Sequence, residues 1–255
     1  MRMRNIKLTI EYDGTAYEGW QIQNPAKDGG PSRHPPTIQA TIEKHLRHIL
    51  GEPVKLTGSG RTDTGVHAAG QVANFFTRSR IPLAGLRKAL NSLLPPDIVI
   101  IAAVEAAEDF HSRFSAKNKL YRYTILNRDY PSALRRDFVH FCDYPLSLAL
   151  MRKEAAVLKG THKFTAFHAA DKKERSSVRT IRRISVVRKG EDIVIEIEAN
   201  GFLKNMVRTI VGTLIEIGRG RFPAGSMKKI LASRDRKQAG PTAAAAGLCL
   251  VRVDY

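Results

Sequence analysis

The sequence predicts an α+β protein with a duplicated plan. Strand, helix, loop, strands, helix and strand run once in the first half and again in the second. Three observations carry this reading. Alternating apolar runs, the mark of half-buried strands, open both halves, at Ile6–Tyr12 and at Lys119–Asn127. Apolar residues at helical spacing follow each run. The length of 255 residues suits one large domain or two smaller halves. The expected division is roughly 1–110 and 111–255. The join falls between Glu105 and Lys119, and the two antiparallel sheets are expected side by side with a groove between them.

In the first half, Ile6, Leu8, Ile10 and Tyr12 share one side of the opening strand. Gly, Pro, Ser and charge dominate from Asn24 to Pro36, which reads as a surface loop. Thr37 is placed to cap a helix whose inner face carries Ile38, Ile42, Leu46 and Ile49. The loop LTGSGRTDTGVHAAG then leads into a strand, QVANFFT. A Leu-rich helix from Leu83 to Leu94 stops before Pro95-Pro96. IVIIAAVEA reads as a buried strand. In the second half, KLYRYTILN is a strand and LSLALMRKEAAVLKG a helix ending at Gly160. HKFTAFHAADKKERSSVR is a loop, and ISVVRKG with DIVIEIEANG forms a hairpin. FLKNMVRTIVGTLIEIG is a helix with Leu203, Met206, Val207, Ile210, Val211 and Leu214 on one face. GLCLVRVDY is the last strand.

The formal net charge is +18, which favours a polyanionic partner: nucleic acid first, an anionic membrane surface second. Basic residues are densest at Lys172–Arg188 and Lys228–Lys237. Any single charge run is most simply a solvated face. No stretch approaches the ~18 apolar residues of a membrane span. The start, MRMRNIKLTIEYDG, is basic and then alternates, so no secretory signal is expected. Two cysteines, Cys142 and Cys249, exclude a disulfide scaffold and fit a reducing cytoplasm.

The residues from Gly58 to His67 stand apart. Three glycines in eight residues permit a sharp turn and the close approach of a ligand. Among them sit one acid, Asp63, one base, Arg61, and hydroxyls. Three readings compete. A phosphate-binding loop lacks the Lys-Ser/Thr pair that should follow its last glycine. A plain turn would use Asp63 as a local hydrogen-bonding residue. A catalytic carboxylate on a tight loop would use Arg61 against an anionic substrate.

GSGRTDTGVHA resembles the active-site motif of the tRNA pseudouridine synthase A family. YDGTAYEGWQIQ, DFHSRFSAKNKLYRYTILN, FTAFHAA, NGFLKNMVRTIVGTLIEIG and GLCLVRVDY resemble other family segments in the same order, so the likeness covers nearly the whole chain. It implies two ferredoxin-like halves around a central basic cleft, acting as a cytoplasmic homodimer. The implied reaction converts uridine to pseudouridine on the 3′ side of the tRNA anticodon stem-loop, at positions 38–40, without cofactor or metal. By resemblance Asp63 is the catalytic aspartate and Arg208 the arginine that pairs with it. Tyr121 stacks on the target base, Arg61 lies near the flipped nucleotide, and Leu248 forms a pocket wall. The stretch AKDGGPSRHPPT is longer than the usual family connection. Its basic residues, within Lys27–Pro36, either contact RNA or are simply solvated, and the second reading is favoured because loops tolerate insertions.

The chemistry asks for these residue types. The bond from ribose C1′ to N1 of uracil breaks and one to C5 forms. A carboxylate can attack an electrophilic carbon and later leave, or remove a proton. The residues alone do not choose between addition to the ring and action on the sugar. A neighbouring guanidinium favours the charged carboxylate. Without the resemblance, Tyr121 reads as a core strand aromatic and Arg208 as an arginine snorkelling at a helix flank. A flipped base needs a flat partner, and one stack on an aromatic contributes ~1–3 kcal/mol. Two other classes compete with the enzyme: a non-catalytic RNA-binding module, which leaves Asp63 unused, and a small-molecule nucleoside hydrolase, which needs no basic surface.

Overall fold

A computed structural model describes residues 2–21, 35–169 and 176–255. The fold is mixed α+β, with ten strands and five α-helices among the described residues. Two compact units form: Met1–Ala116 with Leu250–Tyr255, and Lys117–Cys249. The sequence segments Lys27–His34 and Lys172–Arg175 lie outside the described residues.

In the first unit β1 (Arg4–Tyr12) lies between β3 (His67–Thr77) and β4 (Ile98–Ala106), antiparallel to both. The short β2 (Thr57–Gly58) pairs with β3. The alternation of β1 buries Ile6, Leu8, Ile10 and Tyr12 as expected. Helix α1 (Ile38–Leu50) begins where Thr37 accepts a hydrogen bond from the Ala40 N–H at 3.2 Å, and ends at Gly51 in the left-handed conformation. Its face buries Ile38, Ile42 and Leu46, while Ile49 is half-buried. Helix α2 (Leu83–Leu93) packs Leu86 and Leu90 inward beside β4. Two expectations change. Strand β3 starts at His67, four residues before QVANFFT, because HAAG pairs back along β1. β4 is not a buried strand: Val99, Ile101 and Val104 are exposed. Its middle backbone is met by side chains of α2, with Asn91 bonding both the N–H and the C=O of Ile100.

The second unit orders its strands β5 (Asn118–Asn127), β9 (Asp192–Ala199), β8 (Val178–Lys189) and β7 (Gly160–Lys163), all antiparallel. β6 (His140–Cys142) runs parallel beside β5. The β8–β9 hairpin turns at Gly190, whose φ of 60° a two-residue turn requires. Helix α3 (Leu148–Ala156) is capped by Ser147 and stops short of Gly160, which opens β7 instead. The loop expected from His162 to Arg179 thus contains the end of β7, a 3-10 turn at Thr165–Phe167 and the start of β8. Helix α4 (Met206–Gly218) follows Asn205 in the left-handed conformation, so Leu203 lies outside it. Every residue of α4 but Arg208 is buried, making it a core helix rather than one with a single apolar stripe. Helix α5 (Ser226–Ser233) was not expected. Its first N–H groups are met by the buried Glu154 of α3, at 2.7 Å from Gly225 N and 2.9 Å from Met227 N. β10 (Leu248–Asp254) begins in the second unit and ends in the first. Among the described residues no helix is long and apolar enough to cross a membrane, and both cysteines are free thiols.

Candidate active site

Arg61 and Asp63 share the loop between β2 and β3. The loop is held from several sides. The Tyr12 hydroxyl lies 2.8 Å from the Thr62 hydroxyl, and Trp20 N–H donates to the Thr62 carbonyl at 3.1 Å. Ser59 donates to the Gln71 side-chain oxygen at 2.7 Å, and the Gln71 amide donates to the Gly60 carbonyl at 3.1 Å. Val66 N–H closes a turn on the Asp63 carbonyl at 3.1 Å, with Gly65 at φ 74°. Residue 14 must be glycine for reasons of space: a Cβ there would lie 2.1 Å from the Val66 carbonyl oxygen. Arg61 is exposed and Asp63 half-buried on this fixed backbone.

Behind the loop, His67 meets two groups through one nitrogen. Nδ1 lies 3.1 Å from the Gly14 N–H and 3.1 Å from Asp13 Oδ1. It accepts from Gly14 when the ring proton is on Nε2, and donates to Asp13 when Nδ1 carries one. Asp13 also accepts from the Thr15 N–H and hydroxyl at 2.9 and 2.6 Å. Burial pushes the Asp13 carboxyl up, but the Thr15 bonds and the neighbouring His67 outweigh it and hold the group below its ordinary value.

In the second unit, Arg208 sits in the first turn of α4 and donates Nε–H to the Ala243 carbonyl at 2.7 Å, while Ala243 N–H donates to the Arg208 carbonyl at 3.1 Å. The same alanine run receives the Tyr123 hydroxyl at the Ala244 carbonyl, 2.8 Å. It passes through Gly247, which bonds Thr124, to Leu248, which is buried. The run therefore ties Arg208 on α4 and Leu248 on β10 to strand β5. Tyr121 lies on β5 two residues before Tyr123 and so on the same face. It is only 7% exposed, and its ring meets Phe202 edge-on at 5.0 Å. Arg208 is close enough to Tyr123 to favour the phenolate, against the larger effect of burial, which raises that hydroxyl. Among the described residues, no cluster of three or more His, Cys, Asp or Glu is placed to hold a metal ion.

Residues 8–115 and 155–255 match the sequence family described as tRNA pseudouridine synthase. A "tRNA pseudouridine synthase A" of Acetivibrio thermocellus is 48% identical over 253 residues, covering 99% of this chain and 100% of the relative. One of the same description from Myxococcus xanthus is 45% identical over 255 residues, covering 99% and 92%.

The chain belongs to the tRNA pseudouridine synthase family.

Enzymes of the tRNA pseudouridine synthase family are isomerases acting on tRNA uridine, and this chain is one of them. Arg61, Asp63, Arg208 and Leu248 lie within the matched stretches, and Tyr121 falls between them. Among solved structures, the "archaeal box H/ACA sRNP Nop10-Cbf5 complex" overlays at 12% identity and a TM-score of 0.32, over 92% of this chain and 59% of that one, a likeness too weak to bear on function. Nothing in the sequence alone marks Tyr12, Gly14, Trp20 or Gln71 as supports of the Asp63 loop. They stand in YDGTAYEGW and as a glutamine inside an apolar strand, but which loop they hold is set by contacts between distant residues.

Proposed function

We propose that the chain converts uridine to pseudouridine in the anticodon stem-loop of tRNA, at positions 38–40, with Asp63 as the reacting carboxylate. The observation that carries this reading is the bracing of the 58–67 loop. Tyr12, the backbone of Trp20 and Gln71 hold Gly60 and Thr62 just before Asp63, and the Val66 N–H closes on the Asp63 carbonyl; such fixing is what a reacting group needs. Buried bonds spent on a solvated turn would serve no such end. In the reaction the C1′–N1 bond breaks and a C1′–C5 bond forms; the proton leaves C5 and N1 ends protonated. Asp63, as carboxylate, acts as nucleophile or base in this exchange.

Arg208 supplies the guanidinium that favours the charged carboxylate, and its bond to Ala243 orients it. Tyr121 stacks on the extruded base, Leu248 walls the pocket and Arg61 contacts the flipped nucleotide. Two ferredoxin-like halves with a basic cleft are the architecture this proposal calls for. The net charge of +18 supports binding of the polyanion by several phosphate contacts, so affinity should fall steeply with salt. A cytoplasmic homodimer is part of the proposal, and the two free thiols support the reducing setting.

The test is single-turnover conversion of an anticodon-arm RNA by Asp63→Asn. The expected result is no pseudouridine with RNA affinity near that of the wild type. Conversion at the wild-type rate would refute the assignment of Asp63. Affinity intact with no turnover by the wild type itself would favour the RNA-binding module instead.

A further inference from the structure

The turn at 111–115 in the first unit exposes a phenylalanine on an unusually fixed base. Phe114 is 76% exposed. The His111 ring lies against it at 4.3 Å between centroids, and the Arg113 guanidinium carbon is 5.7 Å from its centre. His111 holds the turn: its Nδ1 accepts the N–H groups of Arg113 and Phe114 at 3.1 and 3.3 Å, and its own N–H donates to the Ser115 hydroxyl at 3.1 Å.

The turn is anchored below by a buried polar network. Asn5 of β1 donates to the carbonyls of Ala107 and Phe110 at 2.9 and 2.8 Å. Asn74 of β3 donates to the Asn5 side-chain oxygen at 2.9 Å and accepts the Ser112 N–H at 2.9 Å. Tyr255 donates to the Ser112 carbonyl at 2.8 Å. The Ser112 hydroxyl donates to the Thr57 carbonyl. Thr57 is the first residue of β2, which leads straight into the Asp63 loop, and Asn74 pairs with it from β3. The Phe114 turn and the Asp63 loop thus share one rigid support within one unit.

A single exposed apolar residue needs no explanation by itself. Here buried asparagines hold the backbone of the turn that carries the ring, the ring lies beside a cation, and the chain is strongly basic and acts on RNA. We infer that Phe114 is a stacking platform for an unstacked base of the substrate RNA other than the target uridine, with Arg113 contacting the adjoining phosphate. An aromatic face takes any base, and a neighbouring arginine supplies the charge that tracks the backbone. The platform positions the RNA beside the Asp63 loop and takes no part in bond breaking. This inference rests on the RNA-modifying reading of the chain.

The experiment measures Kd and single-turnover rate on an anticodon-arm RNA for Phe114→Ala, Phe114→Leu and Phe114→Tyr in the full chain, with Asp63→Asn as a control. Phe114→Ala and Phe114→Leu should each raise Kd about tenfold, with the rate at saturating RNA unchanged, and Phe114→Tyr should restore binding. Arg113→Ala should weaken binding by about threefold and make its salt dependence shallower by roughly one phosphate contact. Wild-type affinity for Phe114→Leu would overturn stacking, because leucine keeps the apolar bulk but not the flat face. Wild-type affinity for Phe114→Ala with an altered sedimentation coefficient would overturn it in favour of a contact between copies of the chain. Either result beside an inactive Asp63→Asn would remove this inference and leave the catalytic reading standing; an active Asp63→Asn would instead remove the catalytic reading.

Discussion

The first unit holds Asp63 and the second holds Arg208, and they are held by different means. Asp63 lies on a loop with no helix or strand of its own, so its position is imposed from outside by Tyr12, Trp20, Gln71 and the close packing of Gly14 on Val66, which leaves no room for a Cβ. Arg208 lies on a helix whose other residues are all buried, and its Nε–H bonds the Ala243 carbonyl. Gly212 marks how tightly that helix sits: a Cβ there would be 1.8 Å from the Pro241 carbonyl oxygen. A carboxylate can thus be fixed by packing around a loop, and a guanidinium by the stability of the element that carries it.

Lengthening the carboxylate is the sharpest way to break this contrast. Asp63→Glu keeps the charge but moves it by about one methylene on a backbone that cannot follow. Turnover should fall about 10²-fold or more, with RNA affinity unchanged in a direct binding assay. A tenfold loss or less would mean that the loop yields.

The two glycines separate site from scaffold. Gly212→Ala should destabilise the fold by about 3 kcal/mol, read as a lower midpoint in urea unfolding, because backbone must move in the core. Gly14→Ala should lower turnover more than it lowers that midpoint, because the strain falls on the loop. Equal effects on both readings for both variants would erase the distinction.

Arg208→Lys has a smaller predicted effect. The charge stays, but the Nε–H bond to Ala243 and the planar fork are lost. Turnover should drop about tenfold with stability changed by about 1 kcal/mol. The least effect concerns acid. Asp13 is held below its ordinary value of 3.8 in the folded chain, so it contributes stability above that pH and loses it as pH falls through the folded value. Asp13→Asn should flatten the acid side of the stability profile below about pH 4, measured by thermal unfolding.

Much of this was legible in the residues. The alternation of β1, the Thr37 cap of α1 and the β8–β9 hairpin follow from local chemistry; all three form, although β8 starts at Val178, well before the expected Ile184. The misreadings have a common cause in distant contacts. Helix α5 takes its cap from Glu154, 71 residues earlier than Gly225, and its lysines look like a mere charge run. HAAG looks like loop until β1 offers it a partner. The apolar run of β4 suggests full burial, yet only its Ile98 and Ile100 sides are covered. Asp63 and Arg61 were visible as an acid and a base among glycines. The groups that brace them were not, because Gly14 and Val66 meet only in the fold.

The proposed isomerisation depends on the carboxylate of Asp63. Its most direct test is to map pseudouridines in bulk tRNA lacking the modification after incubation with the wild-type chain and with Asp63→Ala. Pseudouridine at anticodon-arm uridines with the first and none with the second is the predicted outcome. The same map from both proteins would contradict it.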